Sequence, residues 1–540
     1  MNTINRWSFR FLSLFILMSV ICCPAGGGAS ENQKVRPPGV AGSFYPAYPG
    51  ELGKMVDDFL ARAAPAKLKG PLLALVSPHA GYPFSGPVAA HSYALLRGKK
   101  FERVVVIAPS HSESFHFSSV YDGDAYSTPL GQVAVDKAFA AQLVKISPLI
   151  QLSGRGHGEV QGHWEHALEV ELPFLQRVLG NFKVVPIVMG EQNYATSRAL
   201  GVALAKLIQK GSKNADGEFD TLIVASSDLS HYHPYNDAVT IDRKTLRAAE
   251  EWDYFNMSNN FQERIWEACG GGGIVAAMIA AERLGANRTM VLNYANSGDV
   301  AGDKSRVVGY GALALIQDSA QARSKGPEFK LNSREKGALM NIAKHSVETA
   351  VREGKLYQCS PQGMEALAQE RAAFVTLKKK GELRGCIGNI APRKPLCHMV
   401  RDVAALSALR DTRFQPVSVA ELNDLEYEIS VLSPLRRVTD WKQISVGRDG
   451  LVVRKGETEG LLLPQVATEF RWDRTTLLNE TCLKAGLPAR CWQDEDTDVF
   501  QFTAVVFGQG HLADSLNQED SAPGRDREMP GRQGPSSPPK

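Results

Sequence analysis

The sequence predicts two α/β domains that follow a short hydrophobic N-terminal segment. In the first half of the chain, continuous apolar runs alternate with helical segments, a pattern typical of a sheet covered by helices. A short polar stretch then interrupts this alternation, and a second block of helix-like and strand-like segments follows it. The 540 residues are long enough for two to four domains, at about 100–200 residues each.

The overall charge is nearly balanced. The chain carries 61 basic and 58 acidic residues, for a formal net charge of +3. This balance gives no electrostatic reason to expect a nucleic-acid partner. The hydrophobic content of 44% and charged content of 22% are typical of a globular protein.

Residues 1–29 have the pattern of an export signal. Two arginines precede an apolar run at 11–21, which is too short to span a bilayer comfortably, and small residues follow at 25–29. We expect a cleaved signal peptide and a periplasmic protein. An uncleaved or lipidated anchor, for which Cys22 is a candidate, is the second interpretation, and a misassigned start would leave the protein cytoplasmic. Any membrane contact is expected only through this segment.

The first domain, at 34–317, is expected to have a central sheet flanked by helices. Its apolar runs do not alternate with polar residues, which is typical of strands buried on both faces in a parallel or mixed sheet. Helical segments lie between them, at 167–179 and 195–209 among others. The predicted strands are 72–76, 103–107, 183–188 and 221–225.

A polar linker at 318–330 separates this domain from a smaller second domain at 331–510. The second domain opens with a predicted helix at 333–353 and closes with a predicted strand at 500–507. The tail at 511–540 is rich in Pro, Gly, Ser, Asp and Arg, and we expect it to be disordered because it cannot bury enough apolar surface to fold.

Three predicted strands of the first domain end in polar clusters that contain His79, His111 and His231. Ligand sites in open α/β sheets lie beyond the carboxyl ends of the strands, so these imidazoles are expected to converge. Nine of the twelve histidines fall between His79 and His233, which favours a site. Each histidine alone is also consistent with a structural, hydrogen-bonding role.

Cys269 is the only cysteine of the first domain after the N-terminal segment. It precedes four glycines and a predicted helix at 275–284, and a helix N-terminus lowers the pKa of a thiol. A thiolate with two imidazoles would bind Fe, Cu or Zn and leave an open position for chemistry. The alternative is that Cys269 is a small buried hydrophobic residue. The glycines at 270–273 do not follow a predicted strand, so they do not indicate a phosphate loop.

Six motifs of the first domain, in order, resemble those of the Memo family, also called AmmeMemoRadiSam system protein B. This resemblance implies the fold of the class III extradiol dioxygenases, which are non-haem iron enzymes. It also implies metal ligands at His79, His111 and Cys269, and it places His231 in the pocket. A cysteine where the dioxygenases have a carboxylate disfavours ring cleavage and favours softer metals, including copper. The motifs are SPHAGYPFSG (77–86), APSH (108–111), HALEVELPFLQ (166–176), SSDLSH (226–231), CGGGG (269–273) and SGDVAGDKSRVVGYGA (297–312).

Further roles follow from these positions. His231 is the candidate general acid/base. Asp228 either orients it or serves as a turn or helix cap. Four other residues are expected to line the pocket or to contact the metal ligands: His166, Glu169, Tyr82 and His233. The alternative for Glu169 is that its charge stabilises a helix terminus.

In the second domain, glycines flank Cys386, and Arg384 lies two residues before it. Arginine would favour a reactive thiolate, but a buried structural cysteine is the preferred interpretation. Several motifs here resemble the AMMECR-type domain, AmmeMemoRadiSam system protein A, which implies a compact α+β fold and no particular reaction. The resemblance also implies a radical-SAM protein of the same system as a partner. The motifs are LRGCIG (383–388), PVS (416–418), LEYEISVLS (425–433), GLLLPQVA (460–467) and WD (472–473).

The sequence therefore predicts a metal-dependent redox or dioxygenase-like enzyme that acts on a small molecule or peptide, with an accessory second domain. Iron or copper is the expected metal, and zinc is possible. The first alternative is a non-catalytic scaffold that binds a metal or a ligand. A zinc hydrolase is the third.

Overall fold

The computed structural model describes residues 33–213, 217–318, 329–361, 363–456 and 458–508. The predicted N-terminal segment, the predicted tail and most of the predicted linker lie outside these residues. Within the described ranges, none of the helices has both the length and the apolar character needed to cross a bilayer.

The first domain consists of a large central sheet, two small sheets and helices on both faces. Its strands are β1 Val35–Arg36, β2 Leu72–Ser77, β3 Arg103–Pro109, β4 Ser118–Val120, β5 Ala125–Thr128, β6 Gly131–Ala134, β7 Ile150–Leu152, β8 Glu159–Val160, β9 His163–Trp164, β10 Lys183–Met189, β11 Thr221–Ser226, β12 His231–His233, β13 Arg288–Asn296 and β14 Val307–Ile316. Its helices are α1 Pro49–Arg62, α2 Tyr82–Ala94, α3 Lys137–Leu143, α4 Leu172–Leu179, α5 Tyr194–Ile208, α6 Tyr235–Glu250, α7 Tyr254–Gln262, α8 Gly271–Arg283 and α9 Ser297–Ala301.

The four predicted buried strands are confirmed as β2, β3, β10 and β11. They lie side by side in the order β2-β11-β3-β10 and run parallel. Alternate residues of each strand enter two different cores. Leu73 and Val105, for example, face the core that contains α5 and α8, whereas Leu72 and Val104 face the core that contains α1, α2 and α4. The continuous apolar runs are therefore explained by burial on both faces.

Two predicted helices begin at residues other than those expected. The segment predicted at 167–179 starts with a 3-10 turn, Glu169–Glu171, and becomes α-helical only at Leu172. The helix predicted at 275–284 begins earlier, at Gly271, with Gly270 as its N-cap residue. The glycine run is therefore part of the helix rather than a loop before it, which brings Cys269 within two residues of the first helical turn.

The second domain is an antiparallel sheet packed against two long helices, which agrees with the expected α+β class. Its helices are α10 Ser333–Glu353, α11 Glu365–Ala368, α12 Leu396–Leu409, α13 Pro464–Glu469 and α14 Arg474–Lys484. Its strands are β15 Ala373–Lys379, β16 Glu382–Asn389, β17 Leu425–Leu432, β18 Arg436–Arg437, β19 Asp449–Lys455, β20 Thr458–Leu462 and β21 Asp498–Gly508. The sheet order is β16-β15-β17-β21-β19-β20, with β18 also paired to β21. A disulfide that the sequence did not reveal joins Cys482 to Cys491.

The two domains share a continuous core at their interface. Phe500 of β21 packs its ring 5.2 Å from that of Phe255 in the first domain. Next to it, the buried carboxylate of Asp498 accepts hydrogen bonds from Tyr194 and from two arginines of the first domain, Arg198 and Arg283. Burial alone would raise the pKa of Asp498, but the arginines outweigh it and hold the pKa below its usual value. The interface is therefore both apolar and charge-matched.

Asp253 lies close to this interface and has the opposite pKa shift. It is 2% exposed, and burial raises its pKa from 3.8 to about 7. The folded protein thus holds this proton more tightly than the unfolded chain does. The contribution of the protonated Asp253 to the free energy of unfolding is therefore complete below about pH 3.8, and it is lost as the pH rises through about 7.

We expect Asp253→Asn to flatten the pH dependence of stability between pH 4 and 7. The three-unit shift corresponds to at most about 4 kcal/mol. Urea unfolding at several pH values measures the slope. The exposed Asp237→Asn variant serves as the control and should keep the wild-type slope. An unchanged slope in Asp253→Asn would contradict the proposed burial of a protonated carboxyl group.

Candidate metal centre

The three predicted ligands meet at the carboxyl edge of the central sheet. His79 and His111 each follow a parallel strand by two residues, at the ends of β2 and β3, and β11 lies between these strands. Cys269 approaches from the N-terminus of α8. The candidate ligand atoms of the three residues lie within 4.8 Å of one another, and Cys269 Sγ is 3.1 Å from His79 Nε2. This group of side chains can hold a metal ion.

Hydrogen bonds fix the orientation of both histidine rings. His79 Nδ1 is 2.8 Å from the hydroxyl oxygen of Ser226, and His111 Nδ1 is 3.0 Å from a carboxylate oxygen of Glu165. Glu165 also accepts a hydrogen bond from the backbone N–H of His111. Because Nδ1 is occupied in each ring, Nε2 is the nitrogen left to bind a metal. Partners of this kind select the tautomer and strengthen metal binding.

A buried polar chain continues behind His79. The hydroxyl of Ser226 lies 2.7 Å from Glu171 and 2.6 Å from the carbonyl oxygen of Ala167. Tyr93 donates a hydrogen bond to the other oxygen of Glu171. Burial raises the pKa of Glu171 to about 7. This series of hydrogen bonds holds Ser226 at the end of β11, and Ser226 in turn holds the ring of His79.

The glycines after Cys269 permit the close approach of α8 to the sheet. A Cβ atom on Gly270 would lie 2.3 Å from the carbonyl oxygen of Ser226, a distance at which a side chain cannot fit. The backbone of Cys269 is held on both sides, because its N–H donates to the carbonyl of Asp228 and its carbonyl accepts from Gln192. Gly270 thus allows the thiol to reach the ends of the strands.

The surroundings favour the neutral ring for His79 and His166 and the protonated ring for His111. Burial lowers the pKa of His79 well below its usual value, and burial lowers the pKa of His166 to about 4. Burial also opposes protonation of His111, but the hydrogen bond and charge of Glu165 outweigh it, so that pKa is raised. Neutral imidazoles are the form that binds a metal.

The predicted effect of the helix on Cys269 was wrong. Burial and the nearby charge of Asp228 raise the pKa of the thiol well above its usual value, and they outweigh the hydrogen bonds from Ser227 and from the backbone of Asp228 and Gly270. The thiolate at this position would therefore need the positive charge of a bound cation. The donor set, two imidazoles and one thiol, fits a borderline or soft metal ion.

His166 adds a third imidazole to the group. Its ring stacks on that of His111 with 4.8 Å between ring centroids, and its ring lies 5.5 Å from that of His79. His111, Glu165 and His166 also form a set of donor atoms within 4.8 Å of one another. The structure therefore places His166 beside the candidate ligands.

His231 and Cys269 line a cavity of about 530 Å³. His231 Nδ1 lies 2.9 Å from the carbonyl oxygen of Leu229, and burial lowers the pKa of the ring. Since a carbonyl only accepts, Nδ1 carries the proton and Nε2 keeps its lone pair. The other lining residues are Gln192, Leu229, Phe261, Arg264, Trp266, Glu267 and Ala268.

The suggested contact between Asp228 and His231 is replaced by others among the described residues. The carboxylate of Asp228 accepts a 2.8 Å hydrogen bond from the backbone N–H of His79 and a second backbone hydrogen bond from Ala80. Burial raises its pKa to about 7. Asp228 thus caps the turn after β2, which is the other interpretation that the sequence left open.

Two residues expected near the pocket serve the core instead. Glu169 accepts hydrogen bonds from Arg36, from Tyr45 and from the backbone at residues 39 and 40, and thereby ties the N-terminal strand to the domain. Tyr82 is buried and donates to the carbonyl of Val170.

His233 pairs with Glu267 at 2.8 Å, on the wall of the cavity.

In the second domain, Arg384 does not activate Cys386. Arg384 forms a two-pronged ion pair with Glu421. Burial raises the pKa of Cys386, and its sulfur accepts a hydrogen bond from Thr376. A Cβ atom on Gly385 would lie 2.2 Å from the carbonyl oxygen of Ser407 on α12. The glycine next to Cys386 therefore serves helix-on-sheet packing, which favours the structural interpretation.

Ser226, Glu171 and the contact of Glu165 with His111 are parts of the site that the sequence does not predict. Glu165 lies in the segment His163–His166, where a histidine-rich pattern was visible. Its partner is His111, 54 residues earlier, and a contact of that separation leaves no local pattern.

We expect Glu165→Gln to weaken metal binding about 10–100-fold, because the amide is a poorer hydrogen-bond acceptor for His111 Nδ1–H than the carboxylate. Competition with a metal chelator measures the dissociation constant. The exposed Glu159→Gln variant is the matched control and should bind as the wild type does. Equal affinity in both variants would show that Glu165 does not support the metal ligand.

The family of the chain follows from comparison with known proteins. A family model described as Memo-like protein matches residues 36–314, and a model described as AMMECR1 matches residues 340–507. MEMO1 family proteins of Sulfolobus acidocaldarius and Methanopyrus kandleri are each 38% identical over 289 residues, which is 51% and 52% of this chain and 97% and 98% of theirs. A solved structure of an uncharacterized Pyrococcus horikoshii protein is 40% identical, with a TM-score of 0.31, over 32% of this chain and 91% of that one. The chain belongs to the Memo family and carries an AMMECR1 domain after its Memo domain.

Proposed function

We propose that the chain is a metal-dependent redox or dioxygenase-like enzyme of the AmmeMemoRadiSam system, in which His79, His111 and Cys269 hold one iron or copper ion. The observation that carries the proposal is the convergence of these donors within 4.8 Å, next to a cavity large enough for a small molecule or a peptide side chain. Three protein donors would leave coordination positions open to a substrate.

The metal would supply redox chemistry toward dioxygen and an electrophilic centre for the substrate. The residues of the chain prepare this centre in two ways. Ser226 and Glu165 hold the rings of His79 and His111 with Nε2 facing inward. The thiol of Cys269 would give up its proton when the cation binds. A cysteine among the donors favours iron or copper over magnesium and calcium, which prefer oxygen ligands.

His231 is the candidate proton acceptor. Its Nδ1 is engaged by the carbonyl of Leu229, so its Nε2 lone pair can take a proton from a substrate in the cavity. Its lowered pKa keeps the ring neutral near pH 7. On the same cavity wall, the exposed guanidinium of Arg264 is suited to an acidic group on the substrate.

The AMMECR1 domain is proposed to act as an accessory domain that supports the cavity wall. The segment between α7 and Cys269 forms much of that wall, and Arg393 of the second domain pairs with Glu263 in this segment at 2.5 Å. Trp266 lines the metal cavity and also a second cavity of about 460 Å³ between the domains. Displacement of the second domain would therefore move residues that contact the substrate.

Export to an oxidising compartment is part of the proposal. The sequence of residues 1–29 favours it, and the disulfide between Cys482 and Cys491 supports it, because disulfides persist in such compartments. A radical-SAM protein is the proposed functional partner. Its iron–sulfur cluster would belong to a reducing compartment, so the two proteins would share a pathway rather than a stable complex.

The same donors also fit zinc. A zinc hydrolase would use the same neutral His231 to take a proton from water, and it would need no dioxygen. A non-catalytic scaffold would bind the metal and a ligand without turnover. The hydrolase differs from the preferred function in its metal and in needing no dioxygen. The scaffold differs in having no turnover that replacement of His231 could remove.

We expect His231→Ala to retain the metal and to lose at least about 100-fold in turnover, the lower range for loss of a general acid/base. Metal content is measured on anaerobically purified protein. Turnover is measured as oxygen uptake by the iron- or copper-loaded protein with ascorbate, which supplies two electrons to reduce dioxygen to hydrogen peroxide, and with a panel of catechols.

Two variants complete this test. Cys269→Ser should lose the ion held by His79 and His111, and His116→Ala, which changes a histidine whose side chain is 90% exposed, should behave as the wild type. Metal binding without turnover in any of these proteins would favour the scaffold. Zinc as the metal, with hydrolysis that depends on His231, would favour the hydrolase.

We expect Arg393→Glu to lower turnover severalfold without changing the metal content, because two facing glutamates would push the cavity wall away from the second domain. The double variant Glu263→Arg with Arg393→Glu restores the opposite charges and should regain activity. Kinetics of the three proteins at high and low salt test this expectation. A double variant no better than the single one would argue against a supporting role for this ion pair.

A further inference from the structure

A second group of metal-ligating side chains lies in the AMMECR1 domain. Cys359, Cys397 and His398 each offer a donor atom, and these atoms lie within 4.8 Å of one another. Cys397 and His398 are consecutive residues in the first turn of α12, and Cys359 comes from the loop between α10 and α11. No residue of this group belongs to the Memo site, and neither cysteine is in a disulfide.

The loop and the helix are already held together. The thiol of Cys359 donates to the backbone carbonyl of Cys397 at 3.4 Å, and His398 Nε2 lies 3.2 Å from the carbonyl oxygen of Cys359. Because the carbonyl only accepts, Nε2 carries the proton of the ring and Nδ1 keeps the lone pair. A carbonyl partner on one nitrogen is the usual arrangement for a histidine that binds a metal through the other.

The size of the group suits one ion. Donors that bind a single ion at about 2.0–2.3 Å lie about 3.5–4.0 Å apart. A spread of at most 4.8 Å therefore needs only a small closing motion of the loop. Cys397 is buried, whereas Cys359 and His398 are partly exposed. An ion can thus enter from solvent and finish next to a buried sulfur.

The surrounding charge is also compatible with bound thiolates. The guanidinium of Arg401, one helical turn after Cys397, interacts with both sulfurs and is paired with Asp402. Each thiol would release one proton when a cation binds, and Arg401 would offset the negative charge that two thiolates leave around a monovalent ion.

We propose that Cys359, Cys397 and His398 form a second metal site, specific for a thiophilic cation of the Cu(I) or Zn(II) class. Two sulfurs and one imidazole favour these ions and disfavour calcium and magnesium, which prefer oxygen donors. Three donors suit trigonal Cu(I), and they suit Zn(II) with a water molecule as the fourth ligand. The site is independent of the function proposed for the Memo domain.

The test uses the full chain in the Cys269→Ser background, so that the Memo site cannot contribute a thiolate. The protein is purified anaerobically with a phosphine reductant. It is then titrated with Cu(I) against a competing chelator and, separately, with Zn(II). We expect this background to bind about one ion per chain, and we expect addition of Cys359→Ser to abolish that binding. The two titrations show which cation binds more tightly.

Matched variants exclude nonspecific effects. Cys386→Ser removes another partly exposed thiol of the same domain and should leave binding unchanged. His398→Gln keeps both sulfurs and should weaken binding at least tenfold, as measured with the same chelator, so that the proposal remains testable if Cys359→Ser does not fold. With Co(II) as a probe, the sulfur-to-metal absorption should disappear with Cys359→Ser and persist with Cys386→Ser.

Three results would overturn the proposal. The first is a Cys269→Ser protein that binds no Cu(I) or Zn(II) under reducing conditions. The second is binding that survives loss of Cys359 or is equally sensitive to loss of Cys386. The third is a Cys359–Cys397 disulfide in the protein as isolated that resists the phosphine, because the two sulfurs would then be unable to bind a cation.

Discussion

The candidate metal centre depends on hydrogen bonds that occupy Nδ1 in both ligand histidines. Ser226 holds His79, and Glu165 holds His111, so Nε2 is the nitrogen left to bind a metal in both rings. Without these partners each ring could rotate or change tautomer, and the donors would no longer converge. Burial keeps His79 neutral and therefore able to bind a metal. The same burial keeps Cys269 protonated until a cation arrives, which couples metal binding to proton release.

The sheet supplies the geometry on which these hydrogen bonds rely. Parallel strands buried on both faces end at the same edge, so residues that follow β2, β3 and β11 are brought together although they are far apart in the chain. The glycine-rich start of α8 lets the helix contact the end of β11 directly, because a Cβ atom on Gly270 would collide with the carbonyl of Ser226. The apolar core of the Memo domain thus fixes the positions of the polar side chains at the carboxyl edge of its sheet.

The two domains are joined by more than a linker. A shared aromatic core, the buried Asp498 with its arginines and the pair between Arg393 and Glu263 connect them. Trp266 lines both the cavity beside Cys269 and the cavity at the interface. The fused AMMECR1 domain therefore contacts, through Arg393, the segment that leads from α7 to Cys269. The cysteine and histidine group of the AMMECR1 domain could also hold a metal ion.

The sequence by itself determined the two α/β domains, their order and the four buried strands, because long apolar runs have few alternative placements in a folded chain. It also brought His79, His111 and Cys269 forward as ligands through strand ends and motif resemblance. Only the tertiary structure decided which groups support them. Ser226 and Glu165 act across large sequence separations, and Asp228 caps a turn instead of orienting His231. The balance between burial and hydrogen bonding at Cys269 was likewise not visible in the sequence, since desolvation depends on everything packed around the sulfur.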